Sequence, residues 1–218
     1  MADPFQSFEY LSLSQQLRIA NYLDNHLTRK LHIGCGSNIL AGWLNTDHEP
    51  ENSDVLFMDA SKEFPFDDCK FDYIFSEHMI EHFSYEEGCS ILRNCYRVLK
   101  PNGKIRIATP NLAKIIALYT KDKTDEQEEY IRVYIDAFYK NTGLYHPTFV
   151  INNNVRNWGH TFIYDPEILK MALESIGFID ISFYPLAISN DEHLKDLECR
   201  RNFYDYYDTM VLEATRLL

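Results

Sequence analysis

The sequence predicts an α/β fold, in which a mostly parallel sheet carries helices on both faces. Short apolar runs alternate along the chain with longer segments of helical periodicity. The first run, Leu31–Ile33, leads into two closely spaced glycines, Gly34 and Gly36, which let a loop lie close to a bound small molecule. Asp47 ends the next run, where its carboxylate can accept hydrogen bonds from ribose hydroxyls. Together these features predict a ligand that contains a nucleoside.

The bulk composition narrows the class of protein. A chain of 218 residues suits one domain with a modest insertion, so we expect a single domain over residues 1–218. The formal net charge of -12 argues against nucleic acids and anionic membranes as partners. Five cysteines without paired metal-ligand spacing, and no basic-then-apolar leader, indicate a cytoplasmic protein. No apolar run approaches the roughly 20 residues that cross a bilayer.

The first expected element is a leading helix within residues 1–30. Apolar side chains recur at helical spacing from about Phe5 to Arg29, and Ser12 or Ser14 can serve as the N-cap. We expect this helix to cover the sheet or to close over a pocket. Seven apolar runs then predict strands: Leu31–Ile33, Trp43–Asp47, Val55–Asp59, Tyr73–Ser76, Lys104–Thr109, Ile179–Tyr184 and Thr209–Thr215.

Two helices between these strands have recognisable ends. The first runs from Glu86 to Leu99, and the turn residues 101–103 are expected to stop it. The second runs from Pro166 to Ile176, with Asp165 as its N-cap and Gly177 at its carboxyl end. Strands that alternate with helices in this way predict the parallel sheet.

Two connections depart from a regular strand–helix–strand pattern. The segment between Gly36 and Asp47 is too short for a full crossover helix, so we expect a helical turn or an irregular loop there. Residues 110–157 form an insertion after the fifth strand, at the sheet edge where ligands bind. This insertion is either a lid over the substrate or a helical hairpin that packs against the sheet edge.

Five segments in register carry a resemblance to a known family. They are LHIGCG at 31–36, GWLNTD at 42–47, FPFDD at 64–68, FDYIFSEH at 71–78 and LKPNGK at 99–104. Their order and spacing resemble the motifs of class I S-adenosylmethionine-dependent methyltransferases, most of all a bacterial branch associated with polysaccharide or natural-product biosynthesis. The resemblance implies a Rossmann-like sheet of seven strands with an antiparallel C-terminal strand. The leading helix and the insertion lie outside it.

The resemblance also implies where the cofactor S-adenosylmethionine binds. Asp47 would accept both ribose hydroxyls, Asp59 would bind the adenine amino group, and Ala60 would supply a backbone contact. The expected cofactor-binding residues are His32, Gly34, Cys35, Gly36, Asp47, Asp59, Ala60, Ser76 and Glu77. The alternative for the two aspartates is that they only cap turns at strand ends. Cys35 is expected to be a small residue in a tight loop rather than a reactive thiol.

Methyl transfer needs a nucleophile that is held in line with the methyl group, and a hydroxyl nucleophile is helped by a base. His160 and His78 are alternative bases, and either one is as easily a structural, hydrogen-bonded histidine. We expect Tyr145, His146, Trp158 and Tyr164 to bind the substrate as an aromatic wall. Rings in a chain this aromatic are more often part of the core.

Two other sites compete with this interpretation. A dinucleotide site needs a third glycine, and that position holds Ile39. Residues 78–82 have the H-x-x-E-H spacing of zinc peptidases, which also requires a third protein ligand and an open coordination position. Because the segment follows a strand of the predicted methyltransferase sheet, we expect no metal.

The sequence therefore predicts a methyltransferase that uses S-adenosylmethionine to methylate oxygen or nitrogen of a small molecule, sugar or peptide precursor. The alternative is a non-catalytic, methyltransferase-like binding module. Loss of Gly34, Gly36 or Asp47 would favour that module, and all three residues are present. No nucleic acid or membrane partner is expected, and no pattern assigns an oligomeric state.

Overall fold

The computed structural model describes residues 11–218. Its seven strands are β1 (Lys30–Ile33), β2 (Leu44–Asp47), β3 (Leu56–Phe57), β4 (Phe71–Glu77), β5 (Leu99–Pro110), β6 (Phe178–Tyr184) and β7 (Thr209–Arg216). They form one sheet in the order β3-β2-β1-β4-β5-β7-β6. The C-terminal strand β7 runs antiparallel to β5 and β6, and the other neighbouring pairs are parallel. The predicted Rossmann-like fold class is confirmed.

The helices are α1 (Leu13–Asn25), α2 (Tyr85–Val98), α3 (Leu112–Ala117), α4 (Asp125–Phe138), α5 (Pro147–Arg156), α6 (Pro166–Ile176) and α7 (Phe203–Asp208). A short 3-10 helix covers Ile80–His82. The predicted ends of α6 are confirmed, since Asp165 accepts from the Ile168 amide and Gly177 is left-handed at φ 112°. Within residues 11–218, no helix is long and apolar enough to cross a membrane.

The leading helix is shorter than predicted. Ser12 is its N-cap and forms a capping box with Gln15. The helix ends at Asn25 instead of Arg29, where the C-cap His26 adopts an extended backbone. The predicted start at Phe5 lies outside the described residues.

Several predicted strand limits were also wrong. The turn expected at 101–103 lies inside β5, because the chain becomes extended at Leu99, directly after α2, and Leu99 pairs with Phe71 of β4. Conversely, β3 covers only Leu56–Phe57 of the predicted run 55–59. Periodicity locates such elements, whereas pairing with a neighbouring strand sets their ends.

The two faces of the sheet are covered differently. Leu31, Ile74 and Ile105 belong to the main apolar core, to which α1, α2 and α6 all contribute. On the opposite face, Phe75 packs with Trp43 and with the irregular segment 185–202 through Leu194 and Leu197. An irregular segment therefore covers the sheet beside Phe75 on this face.

The segment 185–202 is fixed to the sheet by a buried arginine. Arg106 Nε donates to Glu198 Oε1 at 2.6 Å, and Arg106 Nη1 donates to Glu213 Oε1 at 2.6 Å. Arg106 and Glu198 are fully buried. Removing one member of such a group would leave an uncompensated charge in the core, so the ion pairs fix the segment's position.

Residues 112–156 form the helices α3, α4 and α5, within the predicted insertion. They enclose, together with α7, a separate apolar cluster of Leu118, Tyr130, Ile131, Tyr134, Ile135, Val150 and Tyr207. The Tyr130 hydroxyl donates to Asp208 Oδ2 at 2.6 Å. The insertion therefore packs where β5 ends and β7 begins, with its own small core.

Candidate active site

The glycine loop after β1 lies against the segment that follows β4. Gly34 and Gly36 have φ values of +65° and +49°, which favour glycine. A Cβ atom at Gly34 would lie 2.6 Å from Cγ of Met79. Close contact of the two segments therefore requires glycine at position 34.

Asp47 and Asp59 both cap turns at strand ends, which is the structural role named above as the alternative to cofactor binding. Asp47 Oδ2 accepts from the Gly36 amide at 2.8 Å, and Asp47 Oδ1 accepts from the Glu49 amide at 2.9 Å. Asp59 Oδ1 accepts from the amide and hydroxyl of Ser61 at 2.9 and 2.6 Å. Although burial raises the pKa of Asp59, these bonds outweigh burial and lower it. A carboxylate oxygen can accept more than one hydrogen bond, so both residues can also bind a ligand.

These residues border a cavity of about 930 Å³, which we call the larger cavity. Eight of the nine predicted cofactor residues line it: His32, Gly34, Cys35, Gly36, Asp47, Asp59, Ala60 and Glu77. Ser76 does not line it and is buried within β4. Burial raises the pKa of the Cys35 thiol to about 11, which agrees with a packing role for that side chain.

Glu77, at the end of β4, holds a distant segment against the larger cavity. Its Oε2 accepts from the Cys199 amide and its Oε1 accepts from the Arg200 amide, both at 3.0 Å. Cys199 and Arg200 thereby line the cavity. Neither Cys199 nor Arg200 was predicted to lie at the site, because nothing in their local sequence pattern connects them with β4.

A second cavity of about 440 Å³, the smaller cavity, adjoins the first. The two cavities share His78, His82, Trp158 and Arg200. The other residues that line the smaller cavity are Pro110, Tyr134, Phe138, Asn154, His160, Asn202, Tyr204, Asp205 and Asp208. Both predicted bases, His78 and His160, therefore face the same space.

His78 is held on both sides of its ring. Its Nδ1 lies 3.1 Å from Glu81 Oε1, and its Nε2 lies 3.2 Å from the Thr209 hydroxyl. Burial lowers the pKa of His78, but the Glu81 carboxylate outweighs burial and raises it above the usual value. Its backbone is left-handed at φ 48°, which is uncommon outside glycine. Since both ring nitrogens have partners, His78 is poorly placed to take a proton from a substrate.

His160 is held on one side only. Its Nδ1 lies 2.6 Å from the carbonyl oxygen of Asn154, an arrangement that assigns the proton to Nδ1 and leaves Nε2 as an acceptor. Burial lowers the pKa of His160, which favours the neutral ring. The ring centroids of His160 and His82 are 5.1 Å apart. His160 is therefore the better placed of the two predicted bases.

The predicted aromatic wall does not form. Of its four residues only Trp158 lines the larger or the smaller cavity. Tyr164 is fully buried in the main core. The Tyr145 hydroxyl donates to Asp136, and His146 caps α5. The composition indicated an aromatic site, but the spacing could not show which rings reach it.

Three other rings line the smaller cavity instead. Tyr134 and Phe138 lie one turn apart on α4, with ring centroids 4.7 Å apart. Tyr204 lies 5.7 Å from Phe138 by the same measure and comes from α7. The helical spacing of Tyr134 and Phe138 was a usable signal, whereas Tyr204 had none.

Comparison with known proteins supplies independent evidence. Residues 31–107 match the family model described as Methyltransferase domain. No curated protein is similar enough in sequence to match. The matched segment contains the glycine loop, Asp47, Asp59 and the end of β4, which all border the larger cavity.

Several solved structures are similar to this chain at low sequence identity. A candidate exported protein from Bordetella parapertussis has a TM-score of 0.52 at 13% identity, over 93% of this chain and 68% of that one. A complex of the Haloferax volcanii Trm112 methyltransferase activator with a candidate methyltransferase has a TM-score of 0.50 at 14% sequence identity. The match covers 92% of this chain and 89% of that one. A SAM-dependent methyltransferase from Archaeoglobus fulgidus has a TM-score of 0.49 at 20% sequence identity. The match covers 93% of this chain and 91% of that one. The segment that matches the methyltransferase domain borders the larger cavity, which supports the predicted activity of an S-adenosylmethionine-dependent methyltransferase.

Proposed function

We propose that this methyltransferase transfers the methyl group to an oxygen or nitrogen nucleophile of a small molecule, sugar or peptide precursor that binds in the smaller cavity. The observation that carries the proposal is the wall shared by the two cavities, formed by His78, His82, Trp158 and Arg200. A donor in one cavity and an acceptor in the other would meet at this wall. Methyl transfer depends mainly on such positioning.

The residues of the larger cavity fit the cofactor. Asp47 and Asp59 would accept hydrogen bonds from ribose and adenine, and the loop at Gly34 leaves no room for a Cβ beside Met79. Glu77 would hold the cavity wall near the methionine part through Cys199 and Arg200. When bound, S-adenosylmethionine supplies a methyl group on a positively charged sulfur.

On the acceptor side, we assign activation of the nucleophile to His160 and a positioning role to His78. His160 keeps Nε2 unengaged, because its Nδ1 faces the Asn154 carbonyl oxygen. His78 instead contacts Glu81 and Thr209 with its two ring nitrogens.

We also propose that the insertion 110–157 acts as a lid over the acceptor. Tyr134 and Phe138 of α4 and Asn154 of α5 line the smaller cavity. The leading helix has no comparable position, since its described residues line neither cavity and the Tyr22 hydroxyl bonds the Lys30 and Gly42 carbonyls. We therefore assign the leading helix a structural role within a single domain of residues 1–218.

The test has two stages. Calorimetric titration of the full chain with S-adenosylmethionine and with S-adenosylhomocysteine measures cofactor binding. Incubation with S-adenosylmethionine and panels of hydroxyl-bearing and amine-bearing acceptors then measures turnover by mass spectrometry. The panels include polysaccharide and natural-product precursors, because the sequence resembles a bacterial branch associated with them. Binding with a methylated product supports the proposal, whereas binding without any product favours the non-catalytic module.

A further inference from the structure

Three side chains of metal-binding types cluster around His82 of the shared wall. One ligand atom each from Glu81, His82 and His160 lies within 4.8 Å of the other two. We propose that these three residues bind one divalent transition-metal ion, which engages a hydroxyl oxygen of the acceptor. This inference rests on the proposed function, because it places the ion where the acceptor would meet the methyl donor.

Glu81 provides the strongest observation. The side chain is fully buried, and its Oε2 accepts from the Thr109 hydroxyl at 3.0 Å. Its other oxygen, Oε1, accepts no hydrogen bond of acceptable geometry and has only the ion pair with His78 Nδ1, at 3.1 Å. A buried carboxylate oxygen without a hydrogen bond is costly, and a cation would satisfy it. Oε1 is therefore the expected ligand atom.

His160 is oriented as a metal ligand would be. Metal-binding histidines usually donate their second ring N–H to a carbonyl or carboxylate, which fixes the ring and its tautomer. The contact between His160 Nδ1 and the Asn154 carbonyl oxygen at 2.6 Å has this form. It leaves Nε2 for the ion, so with the ion bound His160 would activate the acceptor through the metal instead of accepting the proton itself.

The His82 ring completes the set. It makes no hydrogen bond with the described residues, so it can rotate toward an ion without losing one. His78 would remain outside the ligand set and hold Glu81 in place.

The fold, and not the H-x-x-E-H spacing, assembles this ligand set, since His78 of that motif stays outside it. His82 and Glu81 are adjacent in sequence, and His160 reaches them from the segment between α5 and α6. Three protein ligands leave coordination positions open, as in catalytic metal sites. Imidazole and carboxylate ligands suit zinc, manganese, iron(II) and cobalt. The open positions would face the smaller cavity, which His82 and His160 both line.

The ion favours a hydroxyl over an amine as the acceptor. An oxygen atom that donates one lone pair to a cation keeps another lone pair for attack, whereas a neutral amine has only one. The ion would lower the pKa of the hydroxyl, whose proton passes to solvent. An O–CH3 bond then forms as the S–CH3 bond breaks, and its electron pair stays on sulfur, giving neutral S-adenosylhomocysteine. The products are a methyl ether, S-adenosylhomocysteine and a proton.

The experiment measures ion binding directly. Full-length protein is stripped with a chelator, dialysed and titrated with Co²⁺ by absorbance and with Mn²⁺ and Zn²⁺ by calorimetry. We expect the wild type and the control His193→Ala, an exposed histidine outside both cavities, to bind one ion per chain. His82→Ala and His160→Ala should weaken binding by at least about 100-fold, since even outer-shell changes cost about 10–100-fold.

A further variant guards against misfolding. Glu81→Gln keeps the size of the buried side chain and should weaken ion binding to a similar degree, with circular dichroism confirming the fold. Absence of stoichiometric binding in the wild type would overturn the metal site, as would equal binding by the folded variants.

The metal site and the proposed function can fail separately. Chelator-treated protein is titrated with S-adenosylmethionine in parallel. Cofactor binding without ion binding overturns the metal site only. If the wild type binds the ion and the variants do not, the metal site is supported even when no methylated product is found. Absence of a product would count against the proposed function instead.

Discussion

The larger and smaller cavities differ in how their lining residues are distributed along the sequence. The larger cavity is lined mainly by residues 32–61 and 77–87, which lie at strand ends and in the loops that follow them. The smaller cavity draws on Pro110 and on four further separated regions, around residues 78–82, 134–138, 154–160 and 200–208. A cofactor site that depends on backbone shape can be recognised from short motifs, whereas an acceptor site assembled from distant side chains cannot.

The largest expected effect separates the two cavities by function. His160→Ala should lower turnover by roughly 10²–10⁴-fold, the usual contribution of a group that assists proton removal. Affinity for S-adenosylmethionine should stay unchanged, because His160 lines only the smaller cavity. Steady-state kinetics and calorimetry check the two quantities, with His193→Ala as the control. A wild-type rate on the true acceptor would remove His160 from the site.

The converse change affects the larger cavity. Asp47→Ala should weaken cofactor binding by about 1.5–3 kcal/mol, because hydrogen bonds to a charged acceptor are lost. Calorimetric titration with S-adenosylhomocysteine measures the change. Asp54→Ala, an exposed aspartate that lines neither cavity, is the matched control. Equal affinities of the two variants would contradict the role of Asp47.

The shape of the glycine loop can be tested separately from the charge of Asp47. Gly34→Ala should lower the free energy of unfolding by about 1–3 kcal/mol, because the new Cβ would meet Met79. Gly143→Ala is a matched control, since Gly143 has a similar φ of +62° but no atom within 4 Å of an added Cβ. Denaturant unfolding of both variants isolates the contact. Indistinguishable losses of stability would mean that only the backbone angle matters.

The smallest expected effect concerns Tyr145, which was predicted to bind the substrate but lies outside both cavities. Tyr145→Phe should change turnover and stability by less than about 0.5 kcal/mol, the usual range for an exposed position. Its ring is 57% exposed and lies outside both cavities. Kinetics and thermal unfolding of the variant are compared with wild type. A large drop in kcat/KM would restore Tyr145 to the acceptor site.

The sheet, most residues that line the first half of the larger cavity and the ends of α6 could be predicted from the sequence, because these depend on local patterns. Gly34 and Asp47 line the larger cavity because they lie where parallel strands end. Arg200 and Tyr204 were missed because the fold brings them to the cavities from a segment without a motif. Tyr164 was misplaced because an aromatic ring fits a core and a pocket equally well at the level of pattern.

The insertion's separate apolar cluster bears on how this enzyme could acquire new substrates. The cluster around Tyr130 and Tyr134 shares no residue with the main core beneath α1, α2 and α6. Substitutions in α4 and α5 can therefore reshape the smaller cavity while the sheet and the glycine loop keep their packing. With the smaller cavity as the proposed acceptor site, exchange of residues 112–156 between related proteins would change substrate specificity and leave the larger cavity unchanged.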